Sequence, residues 1–359
     1  MWYIPKNIRI THMNPAKAGF FCGKNMTIEQ NNFDLEVIAG PCSINPENIG
    51  DIYEIADIRV RNQAGEWIRG ISGTRIVGLK SRTTLSENAS EMGMDYPVLH
   101  EQMYIVGQPN LDRTPPSVPI AQQINKDTDL LIATEVMVPH VQAPHYVGKI
   151  PKGKLLLWNP AVDQLGWHVG QNAAFARQHG WLVGIKNGKT LGTTLAHANS
   201  PERVTEIELE RTWAGLATFA NGLGGRLILI HRGVEDPEKG DFRSALVHEV
   251  ARRVKRKVPS ARLFFDPSHS YGPKLRDQIV EKTVEAMRME EGSGFLYDGI
   301  LIEAGHSETD AKQHITINEL RCMAEDLSKF RKLKVPLPSQ SAHTSTVIYP
   351  AANPGSTML

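Results

Sequence analysis

The chain has 359 residues, a 41% hydrophobic share and a formal net charge of +1. That composition can fill a sizeable core, and the near-balanced charge gives no sign of nucleic acid or a membrane surface as a partner. Cys22, Cys42 and Cys322 are too scattered for a disulfide framework, the first residues lack a signal-peptide core, and no apolar run nears the roughly 20 residues of a membrane helix, so a cytoplasmic protein is expected.

Residues 1–35 show no clear period and are expected to form an N-terminal extension. A short apolar run, Val37-Ile38-Ala39-Gly40-Pro41-Cys42-Ser43, then reads as a strand. Residues 47–68 read as a helix with Ile49, Ile52, Ile55, Ala56 and Val60 on one face, and a second strand is expected over Arg75–Arg82. Residues 83–129 form the longest connection, loop-like at Gly107-Gln-Pro-Asn and Arg113-Thr-Pro-Pro and completed by a short helix around Ile120 and Ile124. The third strand ends at Glu135, and the breakers Pro139 and Pro144 allow at most a short helix before the fourth, Leu155–Pro160. Residues 161–179 are helical in pattern, and the fifth strand ends at Lys186-Asn187-Gly188.

Ser200-Pro201-Glu202 has the chemistry of a helix start, and that helix is expected to reach about Asn221. The sixth strand ends at His231-Arg232-Gly233. Helix 243–257 buries Leu246, Val247, Val250 and Val254, and its basic run Arg252–Lys257 is read as a solvated face. The seventh strand runs into Asp266-Pro267-Ser268-His269, a helix covers 273–290, the eighth strand ends at Glu303, and a final helix spans about 315–333. Eight apolar runs without alternation fit strands covered on both faces, and their alternation with helices predicts an α/β fold, a (β/α)8 TIM barrel over 36–333. Residues 334–359 are expected to be a mobile C-terminal tail.

Polar residues fall at the C-terminal end of every strand, where such barrels keep their chemistry. Cys42, His269 and Glu303 end strands one, seven and eight, which are neighbours in a closed barrel. A thiolate, an imidazole and a carboxylate together hold a divalent transition metal, Mn, Fe, Co or Zn, with Asp310 as a possible fourth ligand. An ordinary reading makes Cys42 a small buried hydrophobe and His269 a structural histidine. Lys80, Arg82, Lys186 and Arg232 form a cationic group that a phosphate and a carboxylate would satisfy, or that pairs in part with Glu135, Asp266 or Asp163. Lys186 is alternatively a Schiff-base nucleophile.

These motifs resemble the type I DAHP synthase family, within the DAHP/KDO8P synthase superfamily. The resemblance is carried by Ile38-Ala-Gly-Pro-Cys-Ser-Ile44, Lys80-Ser-Arg-Thr-Thr84, Gly184-Ile-Lys-Asn-Gly188, His231-Arg-Gly233, Asp266-Pro-Ser-His269 and Ile302-Glu303, in order over about residues 37–330. It implies a transferase of the shikimate pathway and aromatic amino acid biosynthesis, which condenses phosphoenolpyruvate with erythrose 4-phosphate and releases phosphate. It further implies Cys42, His269, Glu303 and Asp310 as metal ligands, with His314 replacing Asp310 if the loop is not shortened. Lys80, Arg82, Thr83, Glu135, Lys186 and Arg232 would bind substrate, with Lys186, His269 and Cys42 at the catalytic centre, in a homo-oligomer. The family's fourth strand ends in Gly-Ala-Arg, whereas this one ends in Trp158-Asn159-Pro160. That departure motivates a second expectation, a divergent synthase with another aldose acceptor; a third is a non-catalytic barrel that binds a phosphorylated metabolite.

Overall fold

A computed structural model describes residues 34–44, 47–78, 117–307 and 310–334. Eight strands close into an all-parallel barrel: β1 Glu36–Gly40, β2 Gly73–Arg75, β3 Leu131–Glu135, β4 Leu155–Asn159, β5 Leu182–Lys186, β6 Leu227–His231, β7 Arg262–Phe265 and β8 Gly299–Glu303. Neighbours in sequence are neighbours in space, and β8 pairs with β1 to shut the ring, with Gly40 opposite Glu303. The (β/α)8 fold read from the sequence is therefore the fold observed.

Parallel strands need crossover helices, and these supply the outer layer. The principal ones are α1 Ile49–Ala56, α2 Ser117–Thr128, α3 Gly166–His179, α4 Glu208–Phe219, α5 His248–Lys257, α6 Ile279–Ala286 and α7 Ile317–Ser328. Between β3 and β4 the prolines leave only a four-residue helix, Pro139–Gln142, and a 3₁₀ turn. In α7, Ile317, Leu320, Met323, Ala324 and Leu327 are buried at helical spacing. The hydroxyl of Thr316 accepts the Glu319 backbone N–H, and Glu319 returns a bond to the Thr316 N–H. This reciprocal cap satisfies two end donors and stabilises the helix by about 1 kcal/mol.

Several boundaries differ from expectation. Helix 47–68 stops at Ala56, because Asn62 and Gly65 turn the chain into an antiparallel hairpin, Arg59–Arg61 with Trp67–Arg69. The second strand ends at Arg75, where it was expected to begin. Lys80, Arg82 and Thr83 lie outside the described residues, as do most of the extension 1–35 and all of the tail beyond Lys334. The helix expected from Ser200 starts at Glu208. The Arg203 guanidinium is buried against Glu210 and the Thr205 carbonyl, which holds the intervening residues in a turn.

Inside the barrel, alternation divides the strands. Ile38, Ala133, Leu156, Trp158, Ile228, Ile230, Phe264 and Leu301 form an inner cluster separate from the layer under the helices. Arg75, Glu135, Lys186 and Glu303 share the inward parity of these residues and cap them at the C-terminal end. At the opposite end the buried Glu36 pairs with Arg262 and Lys334.

Candidate active site

Close strand approach sets the frame. A Cβ on Gly40 would lie 3.0 Å from the Thr74 hydroxyl and 3.1 Å from the Arg75 nitrogen, so glycine lets β1 and β2 come together beneath Cys42. Glycine at 184 has a similar role: a Cβ there would sit 2.8 Å from both the Trp158 Cβ and the Ile230 Cδ1. The Trp158 side chain that packs against it is fully buried.

Around Trp158 lie the charged groups. Its indole N–H donates to Glu135 Oε2 at 3.2 Å, and the Arg75 guanidinium and Lys186 ammonium each lie 5.7 Å from its ring centre. Both cations lie within reach of the ring's attraction. Arg75 pairs with Glu303 at 3.1 Å and Lys186 with Asp266 at 3.0 Å, all essentially out of solvent. Burial lowers the Arg75 pKa, but Glu303 and the other nearby anions outweigh it and raise it. Arg75 Nε and Nη1 and Arg232 Nε are buried with no hydrogen-bond partner among the described residues. The Arg232 backbone N–H donates to Asn187 Oδ1 at 2.8 Å, and its side chain donates to the Ser244 hydroxyl at 2.9 Å. Asn187 also donates to the Gly188 and Gly233 carbonyls, tying the end of β5 to that of β6.

The metal-type residues meet on the other side of Arg75. Cys42, Glu303 and Asp310 each offer a ligand atom within 4.8 Å of the others, and the Cys42 thiol donates to Asp310 Oδ2 at 3.6 Å. Metal bonds of about 2.0–2.3 Å place adjacent ligand atoms roughly 3.5 Å apart, so this set fits a divalent cation with little movement. His269 flanks it, with Nε2 3.8 Å from Glu303 Oε1. His269 Nδ1 lies 2.9 Å from Asp266 Oδ1. Burial pushes the His269 pKa down to about 3 against the pull of Asp266, leaving a neutral ring. Burial would raise the Asp266 pKa, but His269 and Lys186 outweigh it and hold the carboxyl well below its usual range. The carboxylate therefore accepts a hydrogen bond from Nδ1–H, and Nε2 keeps the lone pair a metal needs.

Asp310 and His314 both reach Glu303. His314 Nε2 is 3.7 Å from Glu303 Oε2, and its Nδ1 lies 2.9 Å from the Gly305 carbonyl. Asp310 has φ +54°, a left-handed conformation that aspartate tolerates at a cost of about 1 kcal/mol. Arg243 secures it at 3.1 Å and also bonds Gln313, which in turn donates to Glu303 Oε2.

No family model matches the chain, and no curated protein matches it in sequence. Among solved structures it is similar to a phospho-2-dehydro-3-deoxyheptonate aldolase (DAHP synthase) from Thermotoga maritima. The two are 15% identical with a TM-score of 0.57, over 85% of this chain and 72% of that one. A likeness at this identity shows a shared barrel fold. Among the described residues no helix is long and apolar enough to cross a membrane.

The structure thus brings together Cys42, His269, Glu303 and Asp310, with Glu135, Lys186 and Arg232 around the same mouth. The pairing of the cationic group with Asp266 that the sequence allowed is made by Lys186, while sequence reading overlooked Arg75, the bond of Asp266 to His269, and the Arg243–Gln313 brace. Arg75 was legible only with the strand start at Gly73, which gives it inward parity.

Proposed function

We propose that this chain joins phosphoenolpyruvate to an aldose in a reaction that depends on a divalent metal and releases inorganic phosphate. The observation that carries the reading is the convergence of Cys42, Glu303 and Asp310 within 4.8 Å, beside buried cations at one barrel mouth. The resemblance of the strand-end motifs to the DAHP synthase family supports it, and implies erythrose 4-phosphate as the acceptor and DAHP as the product. The fold shared with the Thermotoga maritima DAHP synthase supports it at the level of architecture.

In this reading Cys42, His269, Glu303 and Asp310 hold the metal, with His314 as the alternative to Asp310. Bound there, Mn, Fe, Co or Zn would polarise the aldehyde oxygen and orient it. Arg75, Lys186 and Arg232 hold the phosphate and carboxylate of phosphoenolpyruvate, the bidentate groups an arginine fork suits. The Arg75 and Arg232 donors that have no partner among the described residues would serve such an anion. Lys80, Arg82 and Thr83 are assigned to the same substrate by the resemblance. The methylene carbon of phosphoenolpyruvate bonds to the aldehyde carbon, whose oxygen takes up a proton. Water adds at the former enol carbon, and the bond to phosphate breaks. As phosphate departs, the fixed cations stabilise the charge that develops on it.

Arg75 and Glu303, Lys186 and Asp266, and Arg243 and Asp310 pair opposite charges at the site, so a dication and an anionic substrate would enter together at little electrostatic cost. Titration calorimetry tests the substrate half. Phosphoenolpyruvate should bind the metal-loaded protein, and Lys186→Met or Arg232→Met should weaken it at least about tenfold, or 1.4 kcal/mol. Absence of binding to the unmodified protein would contradict the reading.

A further inference from the structure

Beyond β4 the chain builds a second feature that the metal and phosphoenolpyruvate groups do not use. Met137, Val162, Asp163, Gln164, Leu165 and His168 line a cleft of about 470 Å³. Met137 lies two residues past the end of β3, and the others follow β4, so the cleft opens on the face that carries the candidate active site. It is anchored to the strand of Lys186. The Lys186 N–H donates to Asn159 Oδ1 at 3.1 Å, Gln164 donates to the Lys186 carbonyl at 3.2 Å, and Asn159 donates to the Asp163 carbonyl at 2.6 Å.

Its chemistry is specific. Asp163 Oδ2 and His168 Nδ1 lie 2.6 Å apart, so the carboxylate fixes the imidazole and sets its tautomer. Among the described residues none that lines the cleft is Lys or Arg. Asp163 Oδ1 accepts the Leu165 N–H at 3.2 Å, which fixes the carboxylate just before the start of α3. Beside the dyad Trp167 is 66% exposed, its ring edge-on to His168 at 6.4 Å, and Val162 is 66% exposed. An exposed indole face with a carboxylate–imidazole pair next to it matches the apolar C–H face and the hydroxyls of a sugar. It opposes a phosphate, which among the described lining residues would meet a carboxylate and no Lys or Arg.

We infer that the Asp163–His168 cleft, with Trp167 at its rim, is the subsite for the aldehyde partner, and that it takes a neutral, polyhydroxylated aldose in preference to a sugar phosphate. This rests on the proposed reaction for the sugar's role as acceptor, while the cleft's preference for a neutral sugar is separate. Hydroxyls of the sugar donate to Asp163 and exchange bonds with His168, its C–H face packs on Trp167, and its aldehyde end reaches toward Lys186 and the metal cluster.

The test is ligand-observed saturation-transfer NMR with D-glyceraldehyde, D-erythrose and D-arabinose, each beside its terminal phosphate ester, with and without phosphoenolpyruvate. At least one neutral sugar should bind more tightly than its ester. His168→Ala should weaken it about tenfold or more and Trp167→Ala at least several-fold, with phosphoenolpyruvate affinity unchanged in both. Trp167 is a surface residue, so its variant keeps the test valid if His168→Ala fails to fold. Tighter binding of the esters, unchanged sugar affinity in Trp167→Ala, or no sugar binding would overturn the inference. Sugar binding that obeys the inference in a protein that never binds phosphoenolpyruvate would instead reject the proposed reaction and leave a sugar site.

Discussion

Replacing Arg75 isolates a fully buried ion pair at the barrel mouth. Its guanidinium pairs with Glu303 at 3.1 Å, and both side chains are fully buried. Arg75→Met keeps most of the volume and removes the charge. Removing one partner of a buried pair typically costs about 3–5 kcal/mol, because the other loses its compensating charge in a low-dielectric site. With an unfolding entropy of about 2.1 cal/mol/K per residue over roughly 300 residues, this lowers the melting temperature by about 5–8 °C. Calorimetry on metal-stripped protein at neutral pH should show that shift. A double-mutant cycle with Glu303→Gln should return a coupling of about 2 kcal/mol, since the second change removes the charge the first left exposed. On the proposed reading a divalent ion narrows the Arg75→Met deficit, because it supplies positive charge at the same carboxylate. A cost below about 1 kcal/mol, additive with Glu303→Gln, would refute this account of the barrel mouth.

Other expectations follow from equally local features. His231 is hydrogen-bonded to the Tyr297 hydroxyl at 2.8 Å and His248 to the same hydroxyl at 2.7 Å, packed against Phe265 with Arg252 nearby. Burial lowers the pKa of both, that of His248 to about 4, so the folded protein holds them neutral while the unfolded chain protonates near 6.5. Their stabilisation is therefore complete above pH 6.5 and lost as pH falls, for His248 by about 1.5 kcal/mol between pH 6.5 and 5. Urea unfolding of His248→Gln should show a shallower pH slope by about one proton; an unchanged slope would contradict the assignment. Cobalt added to metal-stripped protein should give a thiolate charge-transfer absorption that Cys42→Ser abolishes. Persistence of that band in Cys42→Ser would move the metal elsewhere. Gly184→Ala should destabilise by about 1–3 kcal/mol in urea titrations, because its Cβ meets Trp158 and Ile230 at 2.8 Å. A neutral result would mean that Trp158 can shift freely.

The barrel was legible because seven of its strands are short apolar runs buried on both faces, such as Leu155–Asn159 and Leu227–His231. The exception is instructive. Strand β2 is Gly-Thr-Arg, and its glycine and arginine are there for close packing and for charge inside the barrel, neither of which a hydrophobicity pattern registers. The apolar Ile76-Val77 that follows drew the expected strand too far along. Helix starts failed for a related reason: the cap chemistry at Ser200-Pro201 is real, yet the buried Arg203–Glu210 pair prevails over it. At the site, single residues at strand ends were visible, but their partners were not. Asp266 reads as part of a motif, and only three dimensions show it bonded to His269 and Lys186 at once. The Asp163–His168 dyad lies five residues apart in a stretch that reads as plain helix.

The central claim is metal-dependent use of phosphoenolpyruvate, and phosphate release measures it directly. Metal-stripped protein is mixed with phosphoenolpyruvate and a panel of aldoses that includes erythrose 4-phosphate, with and without Mn²⁺. The account predicts release only when metal and an aldose are both present, in step with a new 3-deoxy sugar acid, and its loss in Cys42→Ser. Release that ignores metal, or none with any aldose, would contradict it.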